Sequence, residues 1–232
     1  AIRAPLRRAI VHLWSDPIRR ALALVVAVSG ALNLVGIWWG VPSGWAGDEM
    51  TPKAVLIALS QHFSSGWSDR YPPLHFYVLT AAYSPWLILN GLGWVHFSER
   101  VHTVVLFVLG RLVSVGLSAG TIVAVYASGA RVFGRRAGLC AAAAMAVVPM
   151  FVFYAKTANP EAAYVFWFAV ALACYLRALD TLAATDIVFF SVAAALAVCT
   201  KDQAYALFLS MPLVLLLRLR SIADRRFWIG AA

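Results

Sequence analysis

The sequence predicts an all-α integral membrane protein, a multi-span helical bundle with interfacial helices in a long first outer loop. Three observations predict it. Hydrophobic residues make up 62% of the chain and charged ones 12%, with a mean hydropathy of +0.81, well above that of soluble domains. The apolar residues gather in runs of the length a helix needs to cross a hydrocarbon core, about 20 residues for roughly 30 Å. The arginines fall in short clusters between these runs, as topology signals do. The formal charge of +9 therefore belongs to the membrane loops, and no basic face marks a nucleic-acid binder.

Six runs read as spans: Ala21–Gly40, Arg111–Ala127, Ala137–Tyr154, Pro160–Leu176, Ile187–Thr200 and Ala204–Leu217. Without a small-residue cleavage site, the first reads as a retained span and not a signal peptide. A seventh run, Pro72–Leu89, carries His75 and is interrupted at Ser84-Pro85. The positive-inside rule decides its fate. If it does not cross, Arg3, Arg7, Arg8, Arg19, Arg20, Arg131, Arg135, Arg136, Arg177, Arg218, Arg220, Arg225 and Arg226 share one side, thirteen of the 19 basic residues. If it crosses, the bias collapses. Pro72–Leu89 is thus expected to lie in or dip into the outer interface, inside an outer loop of about residues 41–110, with the N-terminus cytoplasmic.

This topology sends Asp48, Glu49, Lys53, Asp69, Arg70, Glu99, Arg100, Arg111, Lys156, Glu161, Lys201 and Asp202 to the outer side. Charge beside hydrocarbon is costly and is kept for function or pairing, so a polar cavity at the outer face is expected. Thr51-Pro52 starts a short surface helix, with Thr51 as cap and Val55, Leu56, Leu59 and Phe63 as its apolar face. Asp48 and Glu49 precede that start, where a helix dipole favours acids.

Six segments in order carry a resemblance: "DE" after the first span, "YPPLHFYVL", "GRLVS", "ARVFGRRAGL", "YAKTANPEAAY" and "CTKDQA". Together they resemble the polyprenyl-phosphate-dependent glycosyltransferases of the C-type membrane fold, the branch of protein O-mannosyltransferases and lipid A aminoarabinose transferases. The resemblance covers roughly residues 20–215. It implies a polyprenyl-phosphate sugar donor, a lipid, glycan or protein acceptor, and transfer with inversion at the outer membrane face, in a bacterial inner membrane. It implies Asp48 as general base, with Glu49 positioning the acceptor or acting on Asp48 through a basic neighbour. Inverting displacement wants a carboxylate opposite the leaving group. Arg70, Arg111 and Lys201 would meet the donor phosphate, whose growing charge needs cations. Tyr71, His75, Lys156 and Glu161 would line the substrate cavity. Relatives more often carry Arg and Asp where this chain has Lys156 and Glu161, and Asn159-Pro160-Glu161 reads equally as a plain helix start. Since family members are longer, residues 1–232 read as a single transmembrane domain, the N-terminal portion of a larger enzyme.

The histidines His62, His75, His96 and His102 have no metal-ligand spacing, and neither do the cysteines Cys140, Cys174 and Cys199, which read as small packing residues. No metal motif is present, and a divalent ion stays an open cofactor. Trp38, Trp39, Trp45, Trp67, Trp86 and Trp94 read as an outer aromatic belt. Gly116 and Gly120 form a small-residue packing step, and Pro212 a kink in the last span. A transporter or lipid-binding scaffold without covalent chemistry would share the charges and broken helices, although such sites sit at the midplane.

Overall fold

The computed structural model describes residues 16–43, 46–61 and 71–230. Helix α1 (Pro17–Leu34) opens on Asp16, whose carboxylate accepts from the Ile18 and Arg19 N–H groups at 3.0 and 3.5 Å, with Pro17 at the first position. It ends earlier than expected. Val35 still donates to Ala31, but Gly36 and Gly40 take φ of 75° and 70°, and the chain leaves through turns to Ser43. The apolar run Val35 to Trp39 continued the hydrophobic pattern past the helix itself.

Helix α2 (Pro52–Ser60) starts as the sequence predicts, Thr51 Oγ1 accepting from the Ala54 N–H at 3.2 Å, and it buries Val55 completely. Helix α3 (Leu74–Gly91) corrects the expected interruption, since it runs unbroken through Pro85. The Thr80 and Ser84 hydroxyls donate one turn back, to the Phe76 and Thr80 carbonyls, around the donor-less proline. His75, Tyr77, Thr80, Tyr83 and Ser84 interrupt its apolar sequence, and it is not among the helices long and apolar enough to cross a membrane.

Helix α4 (Glu99–Phe133) has 35 residues, roughly 52 Å at the α-helical rise, so it outruns the hydrocarbon core. It starts at the Ser98 cap instead of at Arg111, which the expected span placed at its edge. The next span is a bent pair, α5 (Arg135–Ala146) and α6 (Pro149–Ala155), turned by 65° at the break before Pro149. Helix α7 (Pro160–Thr181) starts at the Asn159 cap and packs along α8 (Ala184–Thr200). A 3₁₀ turn (Asp202–Ala204) and α9 (Tyr205–Phe208) lead into α10 (Met211–Gly230). Pro212 sits at the second position of α10, after the turn at residues 209–210, where its missing N–H costs no helical bond. Among the described residues, Pro17–Leu34, Glu99–Phe133, Pro160–Thr181 and Asp202–Arg220 are long and apolar enough to cross a membrane, and the bent pair makes a fifth. Ala184–Thr200 is a shorter apolar helix.

Two packing details fix the bundle. Where α4 meets α5, a Cβ on Gly138 would lie 2.6 Å from the Ala130 nitrogen and the Tyr126 carbonyl oxygen, so only glycine lets these backbones touch. Gly120 accommodates the Phe166 ring, whereas nothing approaches Gly116. Between α7, α8 and α9, Tyr175, Phe190 and Phe208 form an aromatic core with ring centroids 5.1 and 6.2 Å apart. Cys140 and Cys199 face outward and only Cys174 is partly packed, so the packing reading fits one cysteine of three. Trp38, Trp39 and Trp94 are exposed, while Trp86 stacks on Phe97 at 5.6 Å; Trp45 and Trp67 lie outside the described residues.

The up-and-down course separates two ends. At one, Arg135 bonds Asp16, Arg131 bonds Asp180 at 2.6 Å and Arg177 bonds Asp186 at 3.0 Å, tying α1, α4, α5, α7 and α8 together. At the other lie the turns after α1, the acidic segment before α2, the α6–α7 loop and the start of the 3₁₀ turn.

Candidate active site

The adjacent acids Asp48 and Glu49 have opposite environments. Glu49 is buried, and its two oxygens accept from Arg111 Nε and Nη2, each at 2.7 Å. This is the bidentate fork for which arginine is suited. Arg111, on α4 and 1% exposed, gives its Nη1 to the carbonyls of Ile37 and Trp39 at 2.6 and 2.8 Å. The turns that end α1 early are what bring those carbonyls within reach. Glu49 Oε1 also accepts from the Ala158 N–H at 3.0 Å. A buried pair of this kind is satisfied on both sides, and removing one partner would strand a charge.

The α6–α7 loop seals the arrangement. The Met50 N–H donates to the Ala158 carbonyl at 2.8 Å, Asn159 Nδ2 to the Asp48 carbonyl at 3.1 Å, and Lys156 Nζ to the Val35 carbonyl at 2.9 Å. Asn159 is bifunctional. Its oxygen caps α7 by accepting from the Glu161 N–H at 2.8 Å while its nitrogen holds the backbone of Asp48. Asp48 itself remains exposed on a fixed backbone.

Beside this lies a caged cation. Lys201 Nζ bonds the Glu161 carboxylate and stands 6.0 and 5.4 Å from the Tyr71 and Tyr164 ring centroids. Burial works against its charge, but the Glu161 carboxylate and the two tyrosines outweigh it and hold the ammonium above the ordinary lysine range. A cleft of about 760 Å³ opens nearby between α2 and the first turns of α4, with Lys53, Glu99 and His102 among apolar walls of Leu56 and Leu106. Trp86 Nε1 donates to His102 Nδ1 at 3.0 Å, which leaves Nε2 to carry the proton of the neutral ring.

The expected site residues thus divide. Glu49, Lys156, Glu161, Lys201 and Tyr71 come to this end, with Asp48 at the surface. Arg111 does so too, expected there as a donor-phosphate ligand, and four of its five N–H groups are taken up inside the chain, as in a clamp. His75, expected to line the substrate cavity, is fully buried, with no partner on either ring nitrogen among the described residues. Burial depresses its pKa to about 4. Arg70 lies outside the described residues. Sequence reasoning missed Asn159 as the tether of Asp48, because its position before Pro160 signals only a cap. Among the described residues no three acids, histidines or cysteines group as metal ligands.

Taken together, the fold and this end define an integral membrane protein with an acid-and-cation site where its spanning helices emerge. The family model described as dolichyl-phosphate-mannose-protein mannosyltransferase matches residues 103–232, more than half of the chain, and the protein belongs to that family. It is a membrane glycosyltransferase that draws its sugar from a lipid-phosphate donor. No curated protein and no solved structure matches this chain. The matched region contains Arg111, Lys156, Glu161 and Lys201, whereas Asp48 and Glu49 join it from outside.

Proposed function

We propose that this chain transfers the sugar at the outer face of the membrane with inversion at the anomeric carbon, Asp48 acting as general base. The acceptor hydroxyl gives its proton to the Asp48 carboxylate as its oxygen bonds to the anomeric carbon. The bond from that carbon to the phosphate oxygen breaks, and the lipid phosphate leaves with its electron pair. Lys201, kept cationic by Glu161, meets the growing phosphate charge, and Arg70, outside the described residues, is assigned the same role from the sequence alone. Lys156, Tyr71 and Glu161 form the surrounding wall, with Glu49 and Arg111 as positioning residues beneath. The arginine-rich end then faces the cytoplasm with the N-terminus, as the positive-inside rule requires, in a bacterial inner membrane.

One observation carries this reading. Of two adjacent acids, Glu49 is consumed by a buried clamp while Asp48 is held at the surface by a backbone tether from Asn159. Such division is what a positioned base needs. The test is transfer from a panel of polyprenyl-phosphate sugars to lipid, glycan and peptide hydroxyl acceptors in liposomes. Product with inverted anomeric configuration, lost in Asp48→Asn, is expected. Retained configuration, or equal turnover in the variant, would overturn it.

A further inference from the structure

Away from the acidic end, a groove of about 750 Å³ runs between α1 and α4, lined by half-buried Leu22 and Val26 and by exposed Ala23, Ala27, Val123 and Ala127. It opens sideways, where the membrane would be. Along α1 it extends from Arg19 to Ala27, roughly 12 Å at the helical rise, close to the depth of one leaflet's hydrocarbon. Its volume falls within the usual range of small-molecule sites, about 300–1,000 Å³. At its arginine-rich end Arg19, Arg135 and Tyr126 close it.

The two guanidinium groups are fixed there. Arg135 bonds Asp16 Oδ2 and reaches the Tyr126 hydroxyl at 3.5 Å, and Arg19 Nε lies 3.5 Å from the same Asp16 oxygen. Asp16 is further held by the N–H groups of Ile18 and Arg19, so one acid orients two arginines without neutralising both. Their side chains remain 51% and 55% exposed, with N–H groups to spare. Arg20 and Arg136 add positive charge close by, with their side chains exposed. An apolar trough ending in paired cations matches one kind of molecule in a membrane.

We propose that this groove is a binding site for an anionic glycerophospholipid, one acyl chain lying along its apolar lining and the headgroup phosphate bridging Arg19 and Arg135. A zwitterionic lipid fills the trough equally well but offers the arginines no net charge. The site is separate from the acid-and-cation end, so it stands independently of the catalytic reading.

Native mass spectrometry of the purified protein, loaded with equal amounts of phosphatidylglycerol and phosphatidylcholine, tests it. Retention of one phosphatidylglycerol with a preference of at least roughly tenfold is expected. Arg19→Gln, which leaves the Arg135–Asp16 bond in place, should remove most of that preference, and Val26→Trp should displace both lipids by filling the trough. Equal retention of the two lipids, or a preference unchanged in both variants, would overturn the proposal. So would crosslinking from a photoreactive residue at Ala23 that captures a second copy of the chain and no lipid.

Discussion

Ion pairs at the two ends of this bundle both set an arginine against an acid, Glu at one end and Asp at the other, and do different work. Glu49–Arg111 is enclosed, its side chains 0% and 2% exposed, and each of its side-chain hydrogen bonds joins segments far apart in sequence. Arg131–Asp180 at the other end is 37% and 60% exposed. Water screens the second pair and is excluded from the first, so the first fixes geometry while the second adds little to stability. The end with the enclosed clamp is the one where Asp48 and Lys201 lie, and the arginine-rich end, whose guanidinium groups stay partly exposed, is the one proposed to meet lipid.

The comparison can be broken at several points, taken from the largest expected effect to the smallest. Asp48→Asn should lower sugar transfer by about 10²–10⁴, the usual contribution of a general base, with thermal unfolding unchanged. Glu49→Gln should cost about 3–5 kcal/mol of stability by stranding Arg111, measured by unfolding in detergent. The double change Glu49→Met with Arg111→Met should recover much of that loss, since the buried pair is costly to desolvate. A third test uses pH. His75 is neutral in the folded chain down to about 4, against an ordinary value of 6.5. Above pH 6.5 folded and unfolded forms are both neutral. Below it the unfolded chain binds the proton first, so stability should fall by up to about 3 kcal/mol between pH 6.5 and 4. His75→Phe should flatten that slope. Gly138→Leu should cost about 1–3 kcal/mol by forcing α4 and α5 apart. Arg131→Gln should change stability by less than about 1 kcal/mol, and a larger loss would erase the distinction between the two ends.

Much of the fold was legible in the sequence because membrane helices announce themselves by length and composition. The starts of α2 and α7 were readable from Thr51-Pro52 and Asn159-Pro160, since a cap followed by proline is a local signal. The end of α1 and the start of α4 were not. Apolar residues continue beyond Leu34 in turns, and charged Glu99 and Arg100 sit inside a helix that extends past the hydrocarbon. Close packing of Gly138 on α4 was hidden as well, because Gly116 and Gly120 have the familiar spacing while the backbone-to-backbone contact lies between α4 and α5. At the site, the residues could be gathered to one side by charge topology. Their pairing could not be read, because nothing in the spacing of Glu49 and Arg111 says that they meet.

The measurement that tests the account most directly sets the two neighbouring acids against each other. Thermal unfolding and sugar transfer are measured on the same preparations of Asp48→Asn and Glu49→Gln. Asp48→Asn is predicted to keep the wild-type melting temperature and lose turnover, and Glu49→Gln to melt earlier. A stable Glu49→Gln beside a fully active Asp48→Asn would contradict the division of labour on which the proposed mechanism rests.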